Sequence, residues 1–309
     1  MPETYAHLLP ESKEVVIHKN TEERIEYLEN KVWINYPLAQ KVILYLNDLL
    51  KYPKQDKMPG LLIVGEPNIG KSAIVSQFAK LHPDKTLEDD TGMSKAMKTV
   101  VVANMEGGDD RTLYISILEQ LWTPFRPTDT TQKLRHQTIH LLRELNVKML
   151  ILDEIHNLLK GTAIKQRAVM DAIKNLTNSL KIPIVLVGIM DAVTVLNEAQ
   201  HVSRFEIVQL PKWSNDKEFA GLLAAFERWL PLKKPSGLYK AEMKKLLYEH
   251  SNGNLGHLRR ILITCAKYAI QNDVEQITPW IIKNVPTKNS KNPMERIVNL
   301  DVLYGDTST

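Results

Sequence analysis

Gly65-Glu66-Pro67-Asn68-Ile69-Gly70-Lys71-Ser72 decides the reading of this chain. The apolar run Leu61-Leu62-Ile63-Val64 leads into it, and the helical pattern Ala73-Ile74-Val75-Ser76-Gln77-Phe78-Ala79 follows. A strand, a glycine loop and a helix in that order form a phosphate cradle. The glycines let the backbone wrap close to an anion, while loop amides and the helix N-terminus face its charge. On this reading Gly65, Glu66, Pro67, Asn68, Ile69, Gly70, Lys71, Ser72 and Ala73 bind ATP. Lys71 reaches the β- and γ-phosphates and Ser72 ligates Mg2+.

A second run, Met149-Leu150-Ile151-Leu152-Asp153-Glu154, is an apolar strand ending in two carboxylates. Such a pair divides two jobs: Asp153 holds Mg2+, and Glu154 polarises the water that attacks the γ-phosphate. Hydrolysis also needs positive charge on the developing transition state. Arg204, just past the fourth apolar run, is placed to reach a neighbouring subunit's phosphate. Arg259 and Arg260 open a later helix that could fold back on the γ-phosphate.

Outward from these motifs, short β-branched runs at Leu61 to Val64, Thr99 to Ala103, Met149 to Leu152 and Ile184 to Val187 alternate with helical stretches. That alternation predicts an α/β fold, a central parallel sheet flanked by helices. A helix is predicted from Tyr36-Pro37 to near Tyr52, and another opens at Thr21-Glu22-Glu23 from a capping-box-like start. Beyond Leu210-Pro211 the patterns turn helical at Lys217–Leu230, Lys240–His250 and Leu255–Asn272. The expected organisation is an N-terminal arm (1–30), a nucleotide-binding α/β domain (31–211), a small helical lid domain (212–285) and a tail (286–309) of linker composition. The arm and the tail are the segments expected to dock partners.

The 309 residues suffice for a sizeable core, and 43% hydrophobic with 25% charged residues is ordinary globular composition. The single cysteine, Cys265, lies in an apolar helical run, excludes an intramolecular disulfide and fits a reducing compartment. The N-terminus lacks a basic start followed by an apolar run, and no stretch approaches membrane-spanning length, so a cytoplasmic protein is expected. Forty basic against 36 acidic residues, net +4, permits contact with nucleic acid without arguing for it.

At these residues the chain resembles the AAA+ superfamily, and more narrowly the TniB/TnsC-type transposition ATPases. Trp33-Ile34-Asn35-Tyr36-Pro37, Met58 through Gly65, Leu152-Asp153-Glu154-Ile155-His156-Asn157, Ile182 through Gly188, and Ser203-Arg204-Phe205-Glu206 through Leu210-Pro211-Lys212-Trp213 carry the likeness. The resemblance implies an ATPase, slow and stimulated by DNA or a partner, that oligomerises on double-stranded DNA as a ring or helical filament. It implies that the protein marks a target site with a target-selection protein of the same transposon and recruits a DDE transposase. ATP then lies between subunits, with Arg204 as the trans-acting finger and Arg259 or Arg260 in the sensor-2 region. The same likeness puts DNA contacts after the second main strand and ahead of the following helix, and selects Arg111, Thr131 and Lys133, side chains suited to phosphates. The chain departs from the family at Ile189, where a small polar residue is usual after Gly188; Asp191 is the alternative for that role. A helicase-loader-like ATPase and a nucleotide-switched adaptor with little hydrolysis are the other readings.

Several features are set aside. His136 and His140 stand one helical turn apart with no third ligand, which argues against zinc. His156 reads as a helix-start residue, with a hydrogen bond near the site as the second possibility. Trp122 and Trp229 read as core, and Trp33 and Tyr36 as flanking adenine by position.

Overall fold

A computed structural model describes residues 5–30, 32–88, 94–196 and 204–285. The chain divides into two compact units, one of Pro37–Pro211 and one joining the residues up to Tyr36 with those from Lys212 onward.

The first unit is built on a five-stranded parallel sheet. In chain order it contains α1 (Pro37–Leu50), β1 (Gly60–Gly65), α2 (Lys71–Leu81), a hairpin of β2 (Lys85–Glu88) and β3 (Ser94–Met97), β4 (Val100–Asn104), α3 (Asp110–Gln120) and α4 (Thr131–Glu144). Then follow β5 (Met149–Asp153), a 3-10 helix (Ile155–Lys160), α5 (Ala163–Leu180), β6 (Ile184–Gly188), a second 3-10 helix (Met190–Leu196) and β7 (Phe205–Leu210). Sheet order is β4-β5-β6-β1-β7. Every residue of β1, β5 and β6 is buried, as a sheet covered on both faces requires. Leu62, Val64, Leu150, Leu152, Ile184 and Leu186 share one core with residues of α3, α4 and α5. Strand alternation sends Leu61, Ile63, Ile151, Val185 and Val187 to the other face, where they are equally buried. Each fully buried Leu, Ile or Val side chain contributes about 1.5–3 kcal/mol, so these strands anchor the unit.

The four predicted strands are present. Two elements were not predicted. Edge strand β7 carries exposed Glu206, Ile207 and Gln209, which dilutes its apolar pattern. The β2–β3 hairpin is polar and pairs apart from the main sheet. Residues Arg111, Thr131 and Lys133, expected in segments ahead of helices, lie in the first turns of α3 and α4.

The second unit is helical: α6 (Pro10–His18), α7 (Thr21–Glu29), α8 (Lys217–Trp229), α9 (Ala241–Ser251), α10 (Leu255–Gln271) and α11 (Pro279–Asn284). The segment expected as an arm is part of it. Asn20 and Glu23 close a capping box on α7, and Leu28 is wholly buried. Arg24 is buried and donates from Nη1 to Glu275 Oε1 (2.8 Å) and from Nη2 to Glu275 Oε2 (2.5 Å) and Pro231 O (2.6 Å). Ser12 Oγ donates to Trp229 O (2.7 Å), and Leu9 N to Arg228 O (2.7 Å). The tail from Pro286 lies outside the described residues. Among the described residues no helix is long and apolar enough to cross a membrane.

Trp122 corrects its sequence reading. It is 92% exposed, with φ 53°, at the turn that ends α3, whereas Trp229 is core at 1%. Helical periodicity places Trp122 beside buried Leu118, but the helix ends at Gln120 and the next turn points outward.

Candidate nucleotide site

The phosphate loop leaves β1 at Gly65. A Cβ there would stand 2.8 Å from Leu210 O on neighbouring β7, so only glycine lets the two strands close at this end. Asn68 (φ 61°) and Gly70 (φ 106°) take left-handed backbone and turn the loop into α2. Gly70 is the N-cap and no side chain caps the helix, which leaves its first amides for an anion. Lys71 is buried, and its Nζ donates to Gly65 O (2.9 Å) and Glu66 O (2.8 Å). Burial pushes the Lys71 ammonium below its ordinary pKa, while the charges of Glu154 and Asp153 oppose that shift.

Asp153 closes β5 and is buried; its register partner on β4 is Asn104, and its Oδ1 accepts from Glu154 N (2.8 Å). Glu154 turns the chain with φ 57°, strained for a residue with a Cβ, and its side chain is half-exposed. Among the described residues the one ion-pair partner of its carboxylate is His156 Nε2, at 3.3 Å. The sequence reading put His156 first as a helix-start residue and gave a hydrogen bond near the site as the second possibility; the structure sets its ring against Glu154. The 3-10 helix carrying His156 is pinned on both sides. Asn157 Nδ2 donates to Met105 O (2.6 Å), and a Cβ on Gly188 would come within 2.9 Å of Ile155 Cγ2.

The remaining site residues lie elsewhere. Arg204 precedes β7, where its carbonyl accepts from Gly60 N (2.8 Å) and its Nη1 donates to Asn178 Oδ1 (3.1 Å). Ile189 is half-buried directly after β6. Arg111 fastens the α3–α4 connection by donating to Asp129 O and, at 2.6 Å, to Pro127 O. Lys133 pairs with Asp129 (2.6 Å), and Thr131 is half-buried. Arg259 and Arg260 lie on α10 in the helical unit, where Arg259 Nη2 donates to Asn30 O (2.9 Å). Trp33 and Tyr36 stack on each other (6.3 Å), and Tyr36 meets Trp213 edge-on (5.1 Å) within that same unit.

The donor set fits a magnesium nucleotide. An uncapped helix start, one buried ammonium, the exposed Ser72 hydroxyl and the Asp153 carboxylate supply what phosphates and a hard cation need. Among the described residues no cluster of three or more His, Cys, Asp or Glu could hold a metal ion.

The phosphate loop after β1, the acidic pair after β5 and the order β4-β5-β6-β1-β7 define the class: a P-loop protein with the AAA+ fold. The chain belongs to the TniB family, since the family model described as Bacterial TniB protein matches residues 24–215. Comparison with the curated proteins finds no match. Among solved structures the chain is similar to the Aeropyrum pernix ORC2 protein in ADPNP-ADP complexes (15% identity, TM-score 0.63, 87% of this chain and 73% of that one). It is also similar to Cdc6p from Pyrobaculum aerophilum (17%, 0.59, 82% and 67%) and to the Aeropyrum pernix ORC1 protein in complex with DNA (16%, 0.62, 85% and 68%). At these identities the likeness carries the fold.

Proposed function

We propose that the protein is an ATPase that oligomerises on double-stranded DNA, marks a transposition target, and recruits or activates a DDE transposase together with a target-selection protein of the same transposon. Membership of the TniB family, combined with the phosphate loop that leaves β1 and the Asp153-Glu154 pair that ends β5, is the observation that carries this reading. ATP with Mg2+ supplies the phosphoanhydride bond whose hydrolysis times disassembly. Lys71 exchanges its bonds to Gly65 O and Glu66 O for phosphate oxygens, and Ser72 with Asp153 holds the cation. Glu154 accepts the proton of the attacking water. Arg204 of an adjacent copy neutralises transition-state charge. Arg259 and Arg260 are assigned to the lid's contribution, and Arg111, Thr131 and Lys133 to DNA phosphates, which position the protein without reading sequence.

The test is electron microscopy and band shift with duplex DNA and a non-hydrolysable ATP analogue. Nucleotide-dependent oligomers on DNA are expected. A protein that stays monomeric and leaves duplex DNA unshifted at low salt would overturn the reading. Apolar Ile189 after β6 favours a second reading, a nucleotide-switched adaptor with little hydrolysis. A Glu154→Gln turnover rate equal to that of the parent would select it.

A further inference from the structure

We infer that His156 is a positioning residue for hydrolysis: its Nε2–H holds the Glu154 carboxylate, and so aims the base that Glu154 is proposed to be. The inference rests on the ATPase reading above.

Two observations place the ring. Nε2 lies 3.3 Å from Glu154 Oε2, within ion-pair reach. Among the described residues Nδ1 is buried and has no hydrogen-bond partner, so the Glu154 carboxylate is the ring's one polar contact.

Two further observations say what the bond does. Glu154 is half-exposed and projects from a left-handed residue, and among the described residues no other side chain or amide holds its carboxylate. Untied, a side chain with three rotatable bonds in water would spend most of its time misaimed, and misalignment of a general base erodes the rate. Strands β1, β6 and β5 run parallel, so Glu154, directly after β5, stands at the sheet edge from which the phosphate loop leaves β1, and the contact holds its carboxylate there. The ring in turn is fixed by a 3-10 helix anchored to the ends of β4 and β6, through Asn157 to Met105 O and through Ile155 against Gly188. The chain thus carries a relay from two strand ends to the base, built from the four consecutive residues Glu154 to Asn157.

The full chain with duplex DNA tests this, using His156→Leu, which removes the donor, and His156→Gln, which keeps an N–H donor. Binding of a fluorescent ATP analogue is measured beside turnover. His156→Leu is expected to lower kcat about 10- to 100-fold while Kd for the analogue changes less than about twofold, and His156→Gln to recover part of the loss. In a Glu154→Gln background, His156→Leu should slow single-turnover hydrolysis no further, because the two act as one unit. Parental turnover in His156→Leu alongside a slow Glu154→Gln overturns the inference and leaves the ATPase reading standing. Equal slowing by His156→Leu in both backgrounds does the same. Should His156→Leu fail to fold, long-range 15N spectra of the parent protein decide, since an Nε2 without a proton refutes the inference without reference to turnover. Parent protein that binds no ATP defeats the ATPase reading itself, and the inference with it.

Discussion

The Arg204 carbonyl accepts the Gly60 amide at 2.8 Å, at the opposite end of β1 from the phosphate loop. A strand rises about 3.3 Å per residue, so the five steps from Gly60 to Gly65 put roughly 17 Å of sheet between this backbone and the loop of the same chain. As a finger, Arg204 can therefore act only on another copy. Arg204→Ala is expected to bind nucleotide normally and to turn over about 10³-fold more slowly. Mixed with Lys71→Ala, itself inactive, it should regain activity, because roughly a quarter of randomly formed interfaces pair an intact loop with an intact arginine. Steady-state ATPase of the mixture is the measurement, and a mixture as inactive as its parts removes Arg204 from the site.

Lys71 offers a test that needs no turnover. Its ammonium is buried against two carbonyls, and burial disfavours its charge. Lys71→Ala should therefore leave the nucleotide-free protein about as stable as its parent. The thermal shift with saturating ATP should vanish in the variant, whereas the parent gains about 4 kcal/mol at a ligand concentration 1,000 times Kd. Differential scanning calorimetry with and without nucleotide measures both.

The sequence made the buried strands legible because β1 and β6 are apolar throughout and β5 is apolar up to its closing Asp153, and it made both acidic and glycine motifs legible because each sits at the end of such a strand. Strand β7 was lost to its exposed edge position. The place of the N-terminal helices could not be read at all, since Arg24 and Glu275 are 251 residues apart and nothing local announces their pairing. In the site, Glu154 was found from its neighbour Asp153. The role of His156 depends on a left-handed turn at Glu154 and the close approach of Ile155 to Gly188, which no residue pattern encodes.

That long-range pair carries its own prediction. Arg24 and Glu275 are each 5% exposed at the side chain, and Lys233 adds a second cation at 3.1 Å. Removing one buried partner leaves the other uncompensated, so Arg24→Met should cost about 3–5 kcal/mol in denaturant unfolding. The double variant Arg24→Met/Glu275→Met should cost less than Arg24→Met alone. Burial alone would raise the Glu275 carboxyl, but the Arg24 guanidinium, the Lys233 amide and the Lys233 ammonium hold it below the usual 4.5. A carboxylate lowered in the folded state stabilises above its unfolded pKa, so this contribution is present above pH 4.5 and is lost as pH falls through the folded value.

Cys265 supplies an alkaline counterpart. Its side chain is wholly buried on α10, and burial raises the thiol from 9.0 to about 12. A group that stays protonated in the folded state beyond its unfolded pKa stabilises fully below pH 9.0 and progressively less as pH rises toward 12. Iodoacetamide at pH 9 should therefore spare the native chain and label it only on unfolding, which mass spectrometry of timed samples will read. Rapid labelling of the native protein would contradict this burial.

Trp122 stands where a helix end usually takes glycine. Its amide donates to Glu119 O (2.9 Å) and the next amide, Thr123, to Leu118 O (3.0 Å), closing α3 around a left-handed residue. A bulky side chain in that conformation costs about 1–2 kcal/mol, and at 92% exposure the indole buries almost nothing in return. Trp122→Gly relieves the strain but gives the unfolded chain more freedom, worth about 0.5–1 kcal/mol. The net expectation is a variant as stable as the parent or up to about 1 kcal/mol more so in urea unfolding. A loss of more than about 1 kcal/mol would mean that the indole makes a stabilising contact in solution, for instance between copies, and the dependence of the midpoint on protein concentration would identify it.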